Sequence, residues 1–173
     1  MKVTGKQKNS KSCLICGLDN PFGVKAPFYN LDDGSVATIF EFLPDHQSYP
    51  ERTHGGMIAC MLDELVGRSL WVTDMDTYGV TAEIHVKYRK PVPYQTQLKG
   101  RGYITKDRGR IFTARGELYT MDNLLLAEAE ATYVKCPPTA IMSDKVHIDD
   151  EMCYLIPDDV TEIDFPPRKE ITE

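Results

Sequence analysis

An acidic pair, Asp63-Glu64, sits in the middle of the most apolar stretch of this 173-residue chain, and His54-Gly55-Gly56 opens that stretch. Spacing treats the two acids differently. Glu64 has Arg68 four residues on, in the acid-first order that favours an ion pair on a helix, so a structural role accounts for it. Asp63 has Ala59, Cys60, Val66 and Gly67 as helical neighbours, and none of them can pair with it. A carboxylate in an apolar element is either desolvated and raised in pKa, or held charged by donors from elsewhere in the fold. Both conditions make a reactive group; the plainer alternative is an acid on a solvated edge. His54-Gly55-Gly56 offers the complementary chemistry. Two glycines at a helix entrance leave backbone N–H groups unobstructed where the helix dipole adds partial positive charge, a setting that suits an oxyanion. The same glycines would serve a tight turn into the helix. Asp63 lies two turns beyond Gly56, about 10 Å along one helix, so one copy cannot bring both to a single small carbonyl. If they cooperate, acid and donor come from different subunits, which predicts an isologous dimer.

A third group of reactive residues is Cys13-Leu-Ile-Cys16-Gly17. A C-x-x-C pair suits zinc or redox chemistry, but a zinc site needs four ligands and no second C-x-x-C or H-x-x-x-H follows. The expected role is a tight turn, punctuated by Gly17, Asn20-Pro21 and Gly23, with no metal. Five cysteines, an odd number in a chain without an export signal, read as reduced thiols rather than a disulfide framework.

These residues need elements to position them. Residues Met57 to Val72 read as one helix about 24 Å long, apolar nearly all round and therefore buried. Before it, Phe28–Leu31 and Ser35–Phe42 flank Asp32-Asp33-Gly34, a hairpin signal. After it the period becomes two. Val80, Ala82, Ile84, Val86 and Tyr88 alternate with Thr81, Glu83, His85, Lys87 and Arg89, which places Thr81 on the polar face. Strands over Gln95–Thr105, Arg110–Thr120 and Leu124–Lys135 continue through turns at Lys106–Gly109 and Met121–Asn123. One buried helix followed by a run of strands predicts an α+β fold, a curved antiparallel sheet wrapped round one helix. Residues 1–12 read as a disordered leader, and residues 137–173 as an acidic extension lying on the core or on a neighbour.

Composition excludes some functions. A net charge of -6 argues against general nucleic-acid binding. From Lys87 to Arg115, however, nine Lys or Arg face one acidic residue, which suits a small polyanion, or else a solvated face balanced by the acidic extension. No apolar run is long enough to span a membrane, and no signal peptide is evident, so a cytoplasmic location is expected.

The combination of motifs resembles the hotdog-fold acyl-CoA thioesterases, most closely the phenylacetyl-CoA-thioesterase-like group. H-G-G-x6-D spans His54 to Asp63, C-x-x-C-G-x-x-N-P-x-G spans Cys13 to Gly23, H-Q-x-Y-P spans His46 to Pro50, and T-A-E-x-x-V-x-Y-x-x-P spans Thr81 to Pro91. The resemblance covers the region 13–136. It implies a hotdog domain that forms a homodimer or homotetramer and hydrolyses a small or medium acyl-CoA without cofactor. By the same resemblance, Asp63 matches a general base or nucleophile and Gly55 the N–H that polarises the thioester carbonyl. Thr81 matches a hydroxyl that positions water, Gln47 an amide near the reacting carbonyl, and His54 a residue orienting the loop. Lys87, Arg89, Lys90 and Arg108 are candidates for the CoA phosphates by charge alone. The rival functions are a non-catalytic acyl-CoA or aromatic-ligand binder, and an interaction protein that uses C-x-x-C and the acidic extension.

Overall fold

A computed structural model describes residues 1–143 and 146–168. Seven strands form one antiparallel sheet: β1 (Val3–Gln7), β2 (Phe28–Leu31), β3 (Val36–Phe40), β4 (Tyr78–Tyr88), β5 (Leu98–Asp107), β6 (Ile111–Thr120) and β7 (Leu125–Cys136). Their order across the sheet is β1-β2-β3-β5-β6-β7-β4. Helix α1 (Gly55–Arg68) joins β3 to β4 and packs on the concave core, chiefly against β5, β6 and β7. The turns follow the sequence signals, with Gly34, Gly109 and Asn123 all at positive φ. A wrapped helix on an antiparallel sheet is the fold expected.

Close approach decides where the helix lies. A Cβ on Gly102 would come within 2.4 Å of the Leu65 carbonyl oxygen, so β5 touches the α1 backbone itself at that point. Ile58, Met61, Leu62, Leu65 and Val66 fill the space between helix and sheet. The helix stops at Arg68 rather than Val72. Ser69 turns its hydroxyl back onto the Val66 carbonyl at 2.6 Å, and Leu70–Val72 tightens into a 3-10 turn. Nor is the helix covered all round, for Gly56 and Cys60 are exposed on the side away from the sheet.

The expected disordered leader is instead a strand. β1 pairs with β2, and the polar residues that suggested disorder are used as internal hydrogen-bonders. Gln7 donates to Asn30 Oδ1 and to the Arg68 carbonyl, and Asn9 donates to the carbonyls of Cys16 and Ala26. The acidic extension lies on the core: Ile163 and Phe165 pack on Tyr29, Leu31, Ala37 and Tyr119 across the outer face of the sheet.

The same extension changes the reading of the basic run. Lys99 donates to the Asp164 carbonyl at 2.6 Å and Arg101 to the Pro166 carbonyl at 3.0 Å. Arg101 and Glu117, both fully buried, pair at 2.8 Å, and Arg115 pairs with buried Glu128. Lys99, Arg101 and Arg115 are thus internal, held by glutamates of β6 and β7 and by backbone of the extension, while Lys87, Arg89, Lys90, Lys106, Arg108 and Arg110 stay exposed. One prediction tests the helix seat. Gly102→Ala should lower the stability of the chain by about 1–3 kcal/mol, read from its denaturant midpoint, because the helix backbone must move to admit the methyl group.

Candidate active site

Strict alternation along β4 would turn Thr81 away from α1, but the strand contains a bulge. Thr81 pairs with Tyr133 and Glu83 with Thr132, so Ala82 is an extra residue opposite no partner. One inserted residue reverses the parity of everything before it. Thr81 therefore shares the helix-facing side with Ile84, Val86 and Tyr88, and Val80 is turned out to 43% exposure. The sequence reading put Thr81 on the polar face, and the bulge corrects it.

Thr81 and Tyr133 converge on one atom. The Thr81 hydroxyl donates to Asp63 Oδ1 at 2.8 Å and the Tyr133 hydroxyl donates to the same oxygen at 2.6 Å. The donors that helix neighbours could not supply thus come from β4 and β7. Among the described residues, Asp63 Oδ2 has no protein partner, and the carboxylate opens on a cleft lined by Glu64, Gly67, Trp71, Thr81 and Tyr133. Burial, followed by the hydrogen bond to Asp63, pushes the Tyr133 phenol well above its ordinary pKa, so it stays a donor. Tyr133 was missed from sequence. Its signal was the face Ala127, Ala129, Ala131, Tyr133 of β7, three small residues that leave room for a helix and then one phenol at the end.

Glu64 borders the same cleft but is committed to another partner. Its Oε1 accepts from Arg68 Nε at 2.6 Å, as their spacing predicts. Arg68 is buried and lies over the Phe28 ring at 4.3 Å.

The other end of α1 gathers a second group. His54 caps the helix, its Nδ1 accepting from the Gly56 N–H at 2.9 Å. Among the described residues the Gly55 N–H meets no protein acceptor, while the Gly55 carbonyl accepts from the Tyr88 hydroxyl at 2.9 Å. Gln47 bridges to Thr53 beside this cap, and its Oε1 accepts from Tyr94 at 2.8 Å. Gln47, His54 and Gly55 therefore lie together, and Asp63 with Thr81 lies about 12 Å along the helix from Gly55.

The four cations proposed for phosphates do not gather in one chain. Lys87 and Lys90 are exposed near the Tyr88 end of β4, and Arg89 is committed to Glu128. Arg108 lies in the β5–β6 turn, beside Ile111, which pairs with Val134 as Val80 does. That is the opposite end of β4, about 24 Å away. No helix among the described residues is long and apolar enough to cross a membrane.

Residues 52–127 match the Thioesterase superfamily model. That span holds α1, β4, β5 and β6 and ends inside β7. Acyl-coenzyme A thioesterase THEM4 of Xenopus laevis is 30% identical over 112 residues, 64% of this chain and 50% of that protein. The chain spans about half the length of the curated relatives it matches. A thioesterase superfamily protein of known crystal structure has a TM-score of 0.65 at 27% identity, over 70% of this chain and 59% of that one. A phenylacetic acid degradation-related protein from Ralstonia eutropha has a TM-score of 0.58 at 21% identity, over 64% of this chain and 85% of that one. The chain is a hotdog-fold protein, and its residues 52–127 are similar to the thioesterase superfamily.

Proposed function

We propose that the chain hydrolyses small or medium acyl-CoA thioesters at a site shared by two copies, with Asp63 as the working carboxylate. The observation that carries this reading is the division of labour at Asp63: two hydroxyls fix Oδ1, and Oδ2 is left facing a cleft. A water held at Oδ2 gives its proton to Asp63 as its oxygen attacks the thioester carbonyl carbon. The oxyanion so formed needs donors, and the Gly55 N–H at a helix N-terminus suits it. Collapse of the oxyanion breaks the C–S bond, and the CoA sulfur leaves with the proton from Asp63. Direct attack by Oδ2, through an anhydride, uses the same geometry; single-turnover hydrolysis in heavy-oxygen water tests for it. Label in Asp63 shows an anhydride opened by water at the aspartyl carbonyl carbon, whereas label only in the acid product shows water attacking the acyl carbon.

Donor and acid come together if two copies pair β4 with β4. The outer edge of β4 carries no strand among the described residues, although it is eleven residues long. An open edge of that length invites pairing. Antiparallel self-pairing centred on His85 sets Glu83 opposite Lys87 of the partner subunit, and the bulge at Ala82 then brings Thr81 opposite Tyr88 of the partner subunit. Thr81 holds Asp63 and Tyr88 holds Gly55, so each pairing assembles two sites. The exposed helix side at Gly56 and Cys60 would be covered in the same dimer. Gln47 and His54 then stand beside the reacting carbonyl with Gly55. The dimer also brings Arg108 of one copy towards Lys87 and Lys90 of the partner subunit, where CoA phosphates would be met.

A panel of acyl-CoA esters tests the proposal. The wild-type chain should turn over at least one member, and Asp63→Asn should lose about a hundredfold or more in kcat/KM. A loss below about tenfold, or 1.4 kcal/mol, would remove Asp63 from the chemistry. Saturable binding without turnover across the panel would favour a non-catalytic acyl-CoA-binding protein. Glu64→Gln should behave in the opposite way, costing about 3 kcal/mol of stability because it strands the buried Arg68 charge, with little change in turnover per folded molecule.

A further inference from the structure

The C-x-x-C pair lies outside the thioester site, and its surroundings are chemically specific. The turn closed by the Gly17 N–H on the Cys13 carbonyl, at 2.9 Å, packs the pair against the C-terminal half of α1. The two sulfurs and a Glu64 carboxylate oxygen lie within 4.8 Å of one another. Ser10 Oγ stands 3.3 Å from Cys16 Sγ. Arg68 completes the setting. Its Nε is taken by Glu64, and its Nη1 by Gln7 Oε1 and the Lys8 carbonyl, but its buried Nη2 has no partner. An unsatisfied guanidinium N–H at 3% exposure is costly, and Cys16 is close enough to interact with this guanidinium. The Cys13 thiol donates to Glu64 Oε2 at 3.8 Å, and the Ser10 hydroxyl and the Arg68 guanidinium beside the Cys16 sulfur suit an anion there. Arg68 also sets a fixed positive charge against any divalent cation.

We infer that Cys13 and Cys16 form a peroxide-oxidisable dithiol, with Cys16 as the attacking thiolate and Cys13 as the resolving thiol. The hydrogen bond from Cys13, with help from Arg68 and Ser10, draws the Cys16 thiol down to about 7 against the opposing effect of burial. Cys13 is pushed up by the same hydrogen bond, by burial and by Glu64, so it keeps the proton the pair shares. Cys16 is 1% exposed and Cys13 partly exposed, so the oxidant must be small enough to pass Cys13. Hydrogen peroxide, close to water in size, meets that requirement. The Cys16 thiolate attacks one peroxide oxygen; the S–O bond forms, the O–O bond breaks, and hydroxide leaves to take a proton from solvent. Cys13 sulfur then attacks Cys16 sulfur, breaking the S–O bond, and the departing hydroxide takes the Cys13 proton. The pair loses two electrons to form one disulfide, and the peroxide becomes two waters. Arg68 thereby loses an anion beside it, at the residue that anchors Glu64 next to Asp63.

The pair falls within residues 12–25, a single tryptic peptide, which makes the test direct. The reduced full-length chain is treated at neutral pH with hydrogen peroxide, and peptide masses are followed with time. The Cys13–Cys16 peptide should lose two hydrogens, reversibly with dithiothreitol, about tenfold faster than exposed Cys153 is oxidised. In Cys13→Ser the Cys16 sulfenic acid should persist and be trapped by dimedone. In Cys16→Ser the fast phase should vanish. Oxidation no faster than at Cys153 overturns the inference, as does a Cys16→Ser chain in which Cys13 still reacts at the fast rate. Stoichiometric zinc on the purified chain, with both thiols protected by it, would overturn it too. The wild-type time course decides the matter even where a serine variant fails to fold.

Discussion

Everything at the candidate site depends on how closely α1 can lie against the sheet. At Gly102 the strand has no side chain because the Leu65 carbonyl occupies the place where a Cβ would be. That contact fixes the height and angle of the helix, and the apolar side chains from Ile58 to Val66 fill the rest of the gap. With the helix seated there, Asp63 comes level with β4 and β7 rather than with solvent, and two strand hydroxyls can reach one of its oxygens. The bulge at Ala82 is the second half of this constraint. Without the extra residue, Thr81 would point away from the helix, and the carboxylate would keep only the Tyr133 donor.

How much of this was legible in the sequence follows from the physics of each signal. The helix, the three hairpin turns and the fold class rest on periodicity and turn chemistry, which are local, and the structure agrees with them. The i,i+4 pairing of Glu64 with Arg68 is local too. Thr81 was set on the wrong face because alternation cannot show a bulge, which is defined by pairing with another strand. Tyr133 is seventy residues from Asp63, and nothing along the chain ties them together. The first residues failed in another way. Lysines, Gln7 and Asn9 look like a solvated leader until the carbonyls they meet are known.

Charge behaves similarly. A basic run of nine residues suggested a polyanion, yet Arg101 and Arg115 are answered by Glu117 and Glu128 on neighbouring strands, and Lys99 by backbone of the C-terminal extension. Burying such groups is tolerable only when each finds a partner, which ties the extension to the outer face of the sheet. On the other side of the molecule, Arg68 links the two sets of reactive residues. It holds Glu64, the neighbour of Asp63, and it stands beside the Cys16 sulfur. A change in the charge of the thiol pair is therefore felt one residue from Asp63.

The central claim is that Asp63 of one copy and Gly55 of another serve the same thioester. Subunit mixing tests it most directly. Gly55 is the first residue of α1, where proline is well tolerated, so Gly55→Pro removes the N–H with little damage to the helix. Asp63→Asn and Gly55→Pro chains, each inactive alone, are unfolded together, refolded as a mixture and assayed for acyl-CoA hydrolysis. A shared site predicts recovery to about a quarter of wild-type activity, because half the dimers are mixed and each mixed dimer has one intact site of two. Mixed dimers seen by native mass spectrometry, with activity no higher than that of either variant alone, would contradict it.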